Sequence, residues 1–148
     1  MNKYYHISLG QTKICKFQND KPLFFDKKEG AFNSVWKKIG IDEDGYIEYS
    51  ITIPSNMFTE SIGKCNKKRI LRITNNNFEQ YKSIISNCKN RKDVISYLKQ
   101  NNYMGLDTLD ESIRHEQGRK FYFVDELIVF NFDTLNKLEI ESVYKKII

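Results

Sequence analysis

The sequence predicts an α+β fold, and three stretches predict it. Residues 46–53 alternate cleanly, with Ile47, Tyr49, Ile51 and Ile53 on one side and mostly polar residues on the other. That period of two marks a half-buried strand, ended by Pro54. Residues 78–88 instead carry Phe78, Tyr81, Ile84, Ile85 and Cys88 at the spacing of one helix face. Residues 125–131 (DELIVFN) open on an acidic residue, pass through four large apolar residues and close on Asn131. The apolar run is too short for a buried helix, and its β-branched and aromatic content reads as a buried strand. Strands and a few intervening helices do not alternate regularly as βαβ units, which favours α+β.

Taken in order, residues 4–8 (YYHIS) read as a short strand with His6 near its end, followed by a turn at Gly10. Residues 22–25 (PLFF) read as a second strand. Asp26 with Glu29 three residues on is a capping-box-like start. The helix it opens carries Ala31, Val35, Trp36 and Ile39 on one face, and Gly40 and the acidic turn at 42–45 stop it. Residues 70–73 form a further strand. Asn77 with Gln80, and Asn90 with Asp93, mark two helix starts, the second helix carrying Val94, Ile95 and Leu98. Residues 103–107 (YMGLD) read as a tight turn leading into a short strand. Residues 110–118 are polar and expected exposed, 120–124 and 127–132 read as strands, and 140–148 as a terminal strand or helix.

The 148 residues suit a single domain, 1–148, with one core. The chain is 40% hydrophobic, and its 29% charged residues mix both signs, which argues against disorder. No apolar run approaches the ~20 residues of a membrane span, and residues 1–6 contain no long apolar stretch of signal-peptide type. Cys15, Cys65 and Cys88 are odd in number and widely spaced, with no CxxC pair. They read as reduced thiols rather than a disulfide framework or zinc site, so an intracellular, cytoplasmic protein is expected. The net charge of +5 is mild, and its clusters at 67–69 and 89–92 are short, so nucleic-acid binding is a secondary reading. There is no GxGxxG and no GxxxxGK[ST] loop.

Glu126 stands at the mouth of the 127–130 strand, where a carboxylate would be held on a rigid element at a sheet edge or cleft. Asp125 is its rival, and a solvated hairpin end is the plain alternative for both. In their order, YHIS, PLFF, YIEYSI, YMGLD and ELIVFN resemble segments of the ADP-ribosyltransferase fold, which implies an α+β architecture with a split mixed or antiparallel sheet and short helices. The similarity is to its His-Tyr-Glu branch, which includes small domains of bacterial and phage toxins or effectors, and it spans roughly residues 4–131.

The resemblance implies an NAD-consuming site. His6 takes the place of the histidine that holds the ribose beside the adenine, a task suited to an imidazole that both donates and accepts. Ile7 stands where the family carries glycine, and Ser8 matches the following Ser or Thr. Phe24 replaces the family's tyrosine, whose ring stacks on nicotinamide; stacking needs an aromatic face and not a hydroxyl. Phe25 matches the next aromatic, and Trp36 or Phe32 would supply a second wall. Without the resemblance, these aromatics read as core. Glu126 matches the catalytic glutamate: cleavage of the nicotinamide–ribose bond develops positive charge on the sugar, which a fixed carboxylate stabilises. Arginine-modifying members usually carry Glu or Gln two residues earlier, whereas this chain has Val124. The acceptor implied is therefore another protein side chain or a nucleic acid.

Two other readings stay open: the same fold as a catalytically inactive binding module, motivated by Ile7 and Phe24, and a small basic nucleic-acid-binding protein of unrelated fold. His115, in a polar stretch, reads as a surface residue.

Overall fold

The alternating stretch becomes strand β3 (Gly45–Ile53), which lies between β1 (Asn2–Leu9) and β8 (Ile140–Lys146), antiparallel to both. The computed structural model describes residues 2–9, 22–27, 45–63, 68–108 and 126–146. The expected helix after Asp26 with Trp36, the 110–118 stretch, the 120–124 strand, Phe32, Asp125 and His115 all lie outside the described residues. The other strands are β2 (Leu23–Asp26), β4 (Phe58–Thr59), β5 (Ile70–Arg72), β6 (Gly105–Asp107) and β7 (Glu126–Val129). Together the eight form one mixed sheet in the order β4-β5-β6-β7-β2-β1-β3-β8. Among the described residues only β4–β5 and β5–β6 pair in parallel. The fold is α+β, and the terminal segment, for which the sequence left strand or helix open, is a strand.

Two helices, α1 (Phe78–Ser86) and α2 (Arg91–Gln100), connect β5 to β6. Their apolar stripes pack on one sheet face, where Phe78, Tyr81, Val94 and Leu98 meet Leu71, Leu106, Ile128 and Phe130. Strand alternation sends Leu127 and Val129 to the other face, into a cluster with Phe25 and the four β3 residues Ile47, Tyr49, Ile51 and Ile53. Among the described residues no helix is long and apolar enough to cross a membrane.

The helix ends explain their own positions. Asn90 caps α2, its side chain accepting from Asp93 N at 3.0 Å. At the other end Asn102 takes φ 66° while its N–H bonds Lys99 O and the Tyr103 N–H bonds Leu98 O. That reciprocal pair is a Schellman stop, with Asn in the left-handed position usually given to glycine. Asn77 does begin α1, but its side chain turns away from the helix. Its Oδ1 accepts from Thr74 N (2.8 Å), and its Nδ2 donates to Glu60 O and Arg72 O (2.9 and 2.7 Å). That amide ties the chain ahead of the helix together instead of capping the helix.

The stretch at 103–107, expected mainly as a turn, delivers a fully buried strand. Gly105 belongs there because β6 and β7 approach closely: a Cβ would strike the Ile128 carbonyl oxygen and sit 3.3 Å from Val129 Cα.

The sheet is curled. On a flat sheet β1 and β4 would lie five strand spacings apart, about 24 Å. Yet the Tyr4 and Phe58 rings are 6.2 Å apart. Asp107, buried at 4% exposure, fastens the curl. Its Oδ2 accepts from Arg72 Nε (2.7 Å) and from the Tyr4 hydroxyl (3.1 Å), and its Oδ1 lies 2.8 Å from Lys27 Nζ. Arg72 continues the lock, donating through Nη2 to Asn2 Oδ1 (2.8 Å) and the Tyr4 oxygen (3.2 Å), and stacking 3.8 Å over the Phe58 ring.

Two substitutions test this account by urea unfolding. Gly105→Ala is expected to destabilise by about 1–3 kcal/mol, because the clash is with backbone and cannot be relieved by a rotamer change. Asp107→Ala is expected to cost about 3 kcal/mol, the low end for breaking a buried pair because both cations keep some access to water. A loss under 1 kcal/mol in either would contradict the corresponding contact.

Candidate functional site

Three segments far apart in the sequence come together on neighbouring strands: His6 on β1, Phe24 and Phe25 on β2, and Glu126 on β7, in the spatial order β7-β2-β1. The register fixes which side chains meet. Glu126 faces Asp26, and Asp26 faces Tyr5, so the three form a row across one sheet face. Phe24, two residues from Asp26, projects on that same face and is 40% exposed. Ile7 shares this face as well, opposite Glu48 of β3.

His6 is one residue out of step with Tyr5 and therefore projects on the opposite face. Its ring lies 5.3 Å from Phe25 and 6.4 Å from Tyr49, both core residues. The structure thus groups Phe24 and Ile7 with Glu126, and groups His6 with Phe25. Ser8 lies in β1 opposite Ile47. Trp36 lies outside the described residues.

His6 is nevertheless tied to the Glu126 side through the backbone. Its Nδ1 is 2.9 Å from Phe24 O. A carbonyl oxygen only accepts, so Nδ1 carries the proton and donates. Burial lowers the His6 pKa below 6.5, against the opposing pull of that hydrogen bond and of Asp26. The ring is therefore neutral near pH 7 and holds β2 by its strand backbone.

The Asp26 carboxyl is shifted the other way. Burial pushes its pKa up and Glu48 adds to the push, with His6 opposing. Directly opposed residues on paired strands have Cβ atoms about 4.5–5.5 Å apart. Asp26 and Glu126 therefore root two acidic side chains next to each other on one face, and the Asp26 carboxyl is more readily protonated than an ordinary carboxylate.

Thr108 is a site residue that the sequence reading missed. Its hydroxyl accepts from Glu126 N (2.9 Å) and donates to Glu126 O (2.8 Å), while Thr108 N also donates to Glu126 O (3.1 Å). These bonds clamp the backbone at the carboxylate's root and make the mouth of β7 rigid. A lone Thr after YMGLD carries no signal that could have singled it out. Among the described residues no group of three or more His, Cys, Asp or Glu side chains is placed to hold a metal ion. No protein-family model, curated protein or solved structure gives a significant match to the chain.

The His6 environment predicts a pH dependence with a definite sign. The unfolded chain takes up a proton as pH falls through 6.5, whereas folded His6 resists it, so stability should fall as the pH drops through that value. His6→Gln should flatten that part of the curve, as read from urea midpoints against pH. An unchanged slope would show that His6 is not the group responsible.

Proposed function

We propose that the chain is an NAD-dependent ADP-ribosyltransferase of toxin or effector type, with Glu126 as its catalytic carboxylate. The observation that supports it best is the shared face of Phe24, Asp26 and Glu126. An exposed aromatic ring beside two facing carboxyl groups suits a flat cationic heterocycle joined to a sugar. In this reading Phe24 stacks on the nicotinamide ring, and Glu126 stabilises the positive charge that develops on the ribose. The C1′–N bond breaks, and its electron pair leaves with nicotinamide, neutralising the pyridinium. A lone pair of the acceptor forms the new bond to C1′, and the acceptor's proton passes to Glu126. His6 is here a positioning residue that sets the β2 backbone under Phe24. The acceptor is a macromolecule, protein or nucleic acid, with arginine disfavoured by Val124.

A specific observation also favours the inactive-module alternative: His6 and Glu126 project on opposite faces, so one ligand surface does not receive both side chains. Turnover separates the two readings. With labelled NAD and cell lysate, the transferase reading expects nicotinamide release and label on a macromolecule. Glu126→Gln should reduce turnover at least ~100-fold, as removal of a principal charge-stabilising group does. Phe24→Ala should raise KM while Phe24→Tyr keeps it. No turnover by the folded protein, or full activity in Glu126→Gln, would reject the proposed role of Glu126.

A further inference from the structure

Beside the Asp107 lock, where the curl brings the start of β1 against the ends of β5 and β6, lies a cleft of about 380 Å³. Two cations enter it, Arg72 and Lys27, whose side chains are 28% and 31% exposed, and the carboxylate between them is almost wholly buried. Among the described residues Asp107 is the one acid lining the cleft, and the Tyr4 hydroxyl is held protonated by burial and by Asp107 beside it. The described lining residues therefore carry two cations against one carboxylate.

The donors are also incompletely used. Arg72 spends Nε on Asp107 and Nη2 on Asn2 and Tyr4. Its Nη1 has no hydrogen-bond partner among the described residues. Lys27 donates to Thr108 O at 2.9 Å and contacts Asp107 Oδ1 as an ion pair without an aligned hydrogen bond. It retains N–H capacity for another acceptor. Asp107 thus stands behind the cations and sets their directions, as a supporting residue does for a binding group. The Thr74 and Asn75 side chains, just ahead of α1, complete a polar wall.

We propose that this cleft binds the terminal phosphate of a small phosphorylated molecule, with Arg72 Nη1 and Lys27 Nζ donating to its oxygens. A planar guanidinium and a point-charge ammonium lining one cleft suit a tetrahedral oxyanion. Two cationic side chains in a single cleft do not suit a nucleic-acid backbone, which calls for a run of phosphate contacts. The site is independent of NAD turnover and would persist in Glu126→Gln.

The test is calorimetric titration of the full chain with inorganic phosphate, and separately with ADP, at constant ionic strength. Saturable binding with a Kd of about 1 mM or tighter is expected. It should weaken about tenfold or more in Lys27→Gln, as loss of a charged hydrogen bond implies. Arg72→Lys keeps the charge and the Asp107 ion pair but loses the fork, and should weaken binding comparably; if that variant does not fold, Lys27→Gln decides. Tighter binding of ADP than of phosphate, with the same sensitivity, would assign the site to a nucleotide; equal binding would assign it to phosphate alone. No saturable binding by the folded protein, or undiminished binding in folded Lys27→Gln, would overturn the proposal.

Discussion

The buried carboxylate of Asp107 is the contact on which the architecture turns. A mixed sheet with the order found here would, if flat, leave β1 and β4 far apart and expose the face that carries the β3 residues. Tyr4, Lys27 and Arg72 all close on Asp107 instead, and the concave face that results wraps the cluster of Phe25, Ile47, Tyr49, Ile51 and Leu127. Coulombic attraction alone would not make such a knot strongly stabilising, because each charge has lost much of its water. Its effect is geometric. A carboxylate with two oxygens and three partners accepts few arrangements, so the degree of curl is specified where apolar packing alone would tolerate a range.

The elements were legible from the sequence wherever periodicity spoke clearly. The β3 alternation, the helix starts at Asn77 and Asn90, and Glu126 at the mouth of a buried strand could all be read from local spacing. The illegible part is what depends on register. Whether His6 shares a face with Glu126 turns on a one-residue offset between strands whose partners, Tyr5, Asp26 and Glu126, span more than 120 positions of chain, and no local pattern encodes that offset. Asp107 and Arg72 escaped notice for a similar reason: each is an ordinary polar residue at the end of a short apolar run until the curl brings them together. Gly105 drew the reading toward a turn, because the sequence does not reveal that the space glycine leaves is occupied by a neighbouring strand.

On the Glu126 face, rigidity and chemistry come from separate residues. Thr108 fixes the β7 backbone at Glu126 from one side, and His6 fixes the β2 backbone at Phe24 from behind. Each acts through main-chain atoms, leaving the row's side chains to define the surface. A neutral imidazole suits that task, since protonation would place a charge among Phe25 and Tyr49. The upward shift of the Asp26 carboxyl follows from the sheet as well: burial on an interior strand, with Glu48 nearby, makes it titrate higher than a carboxyl group in water.

The Asp107 lock also bears on how the molecule opens. Tyr4 and Asp107 are 103 residues apart in the chain, and Arg72 and Asn2 are 70 apart. Closing loops of that length is entropically costly and is recovered only when both ends are already in place. The lock is therefore a property of the whole native state and not of any single hairpin. Fraying of the edge strand β8 leaves it intact, whereas detachment of β1 dismantles it completely. An anion seated there would slow hydrogen exchange at amides released only by that large opening, and leave exchange through local fraying unchanged.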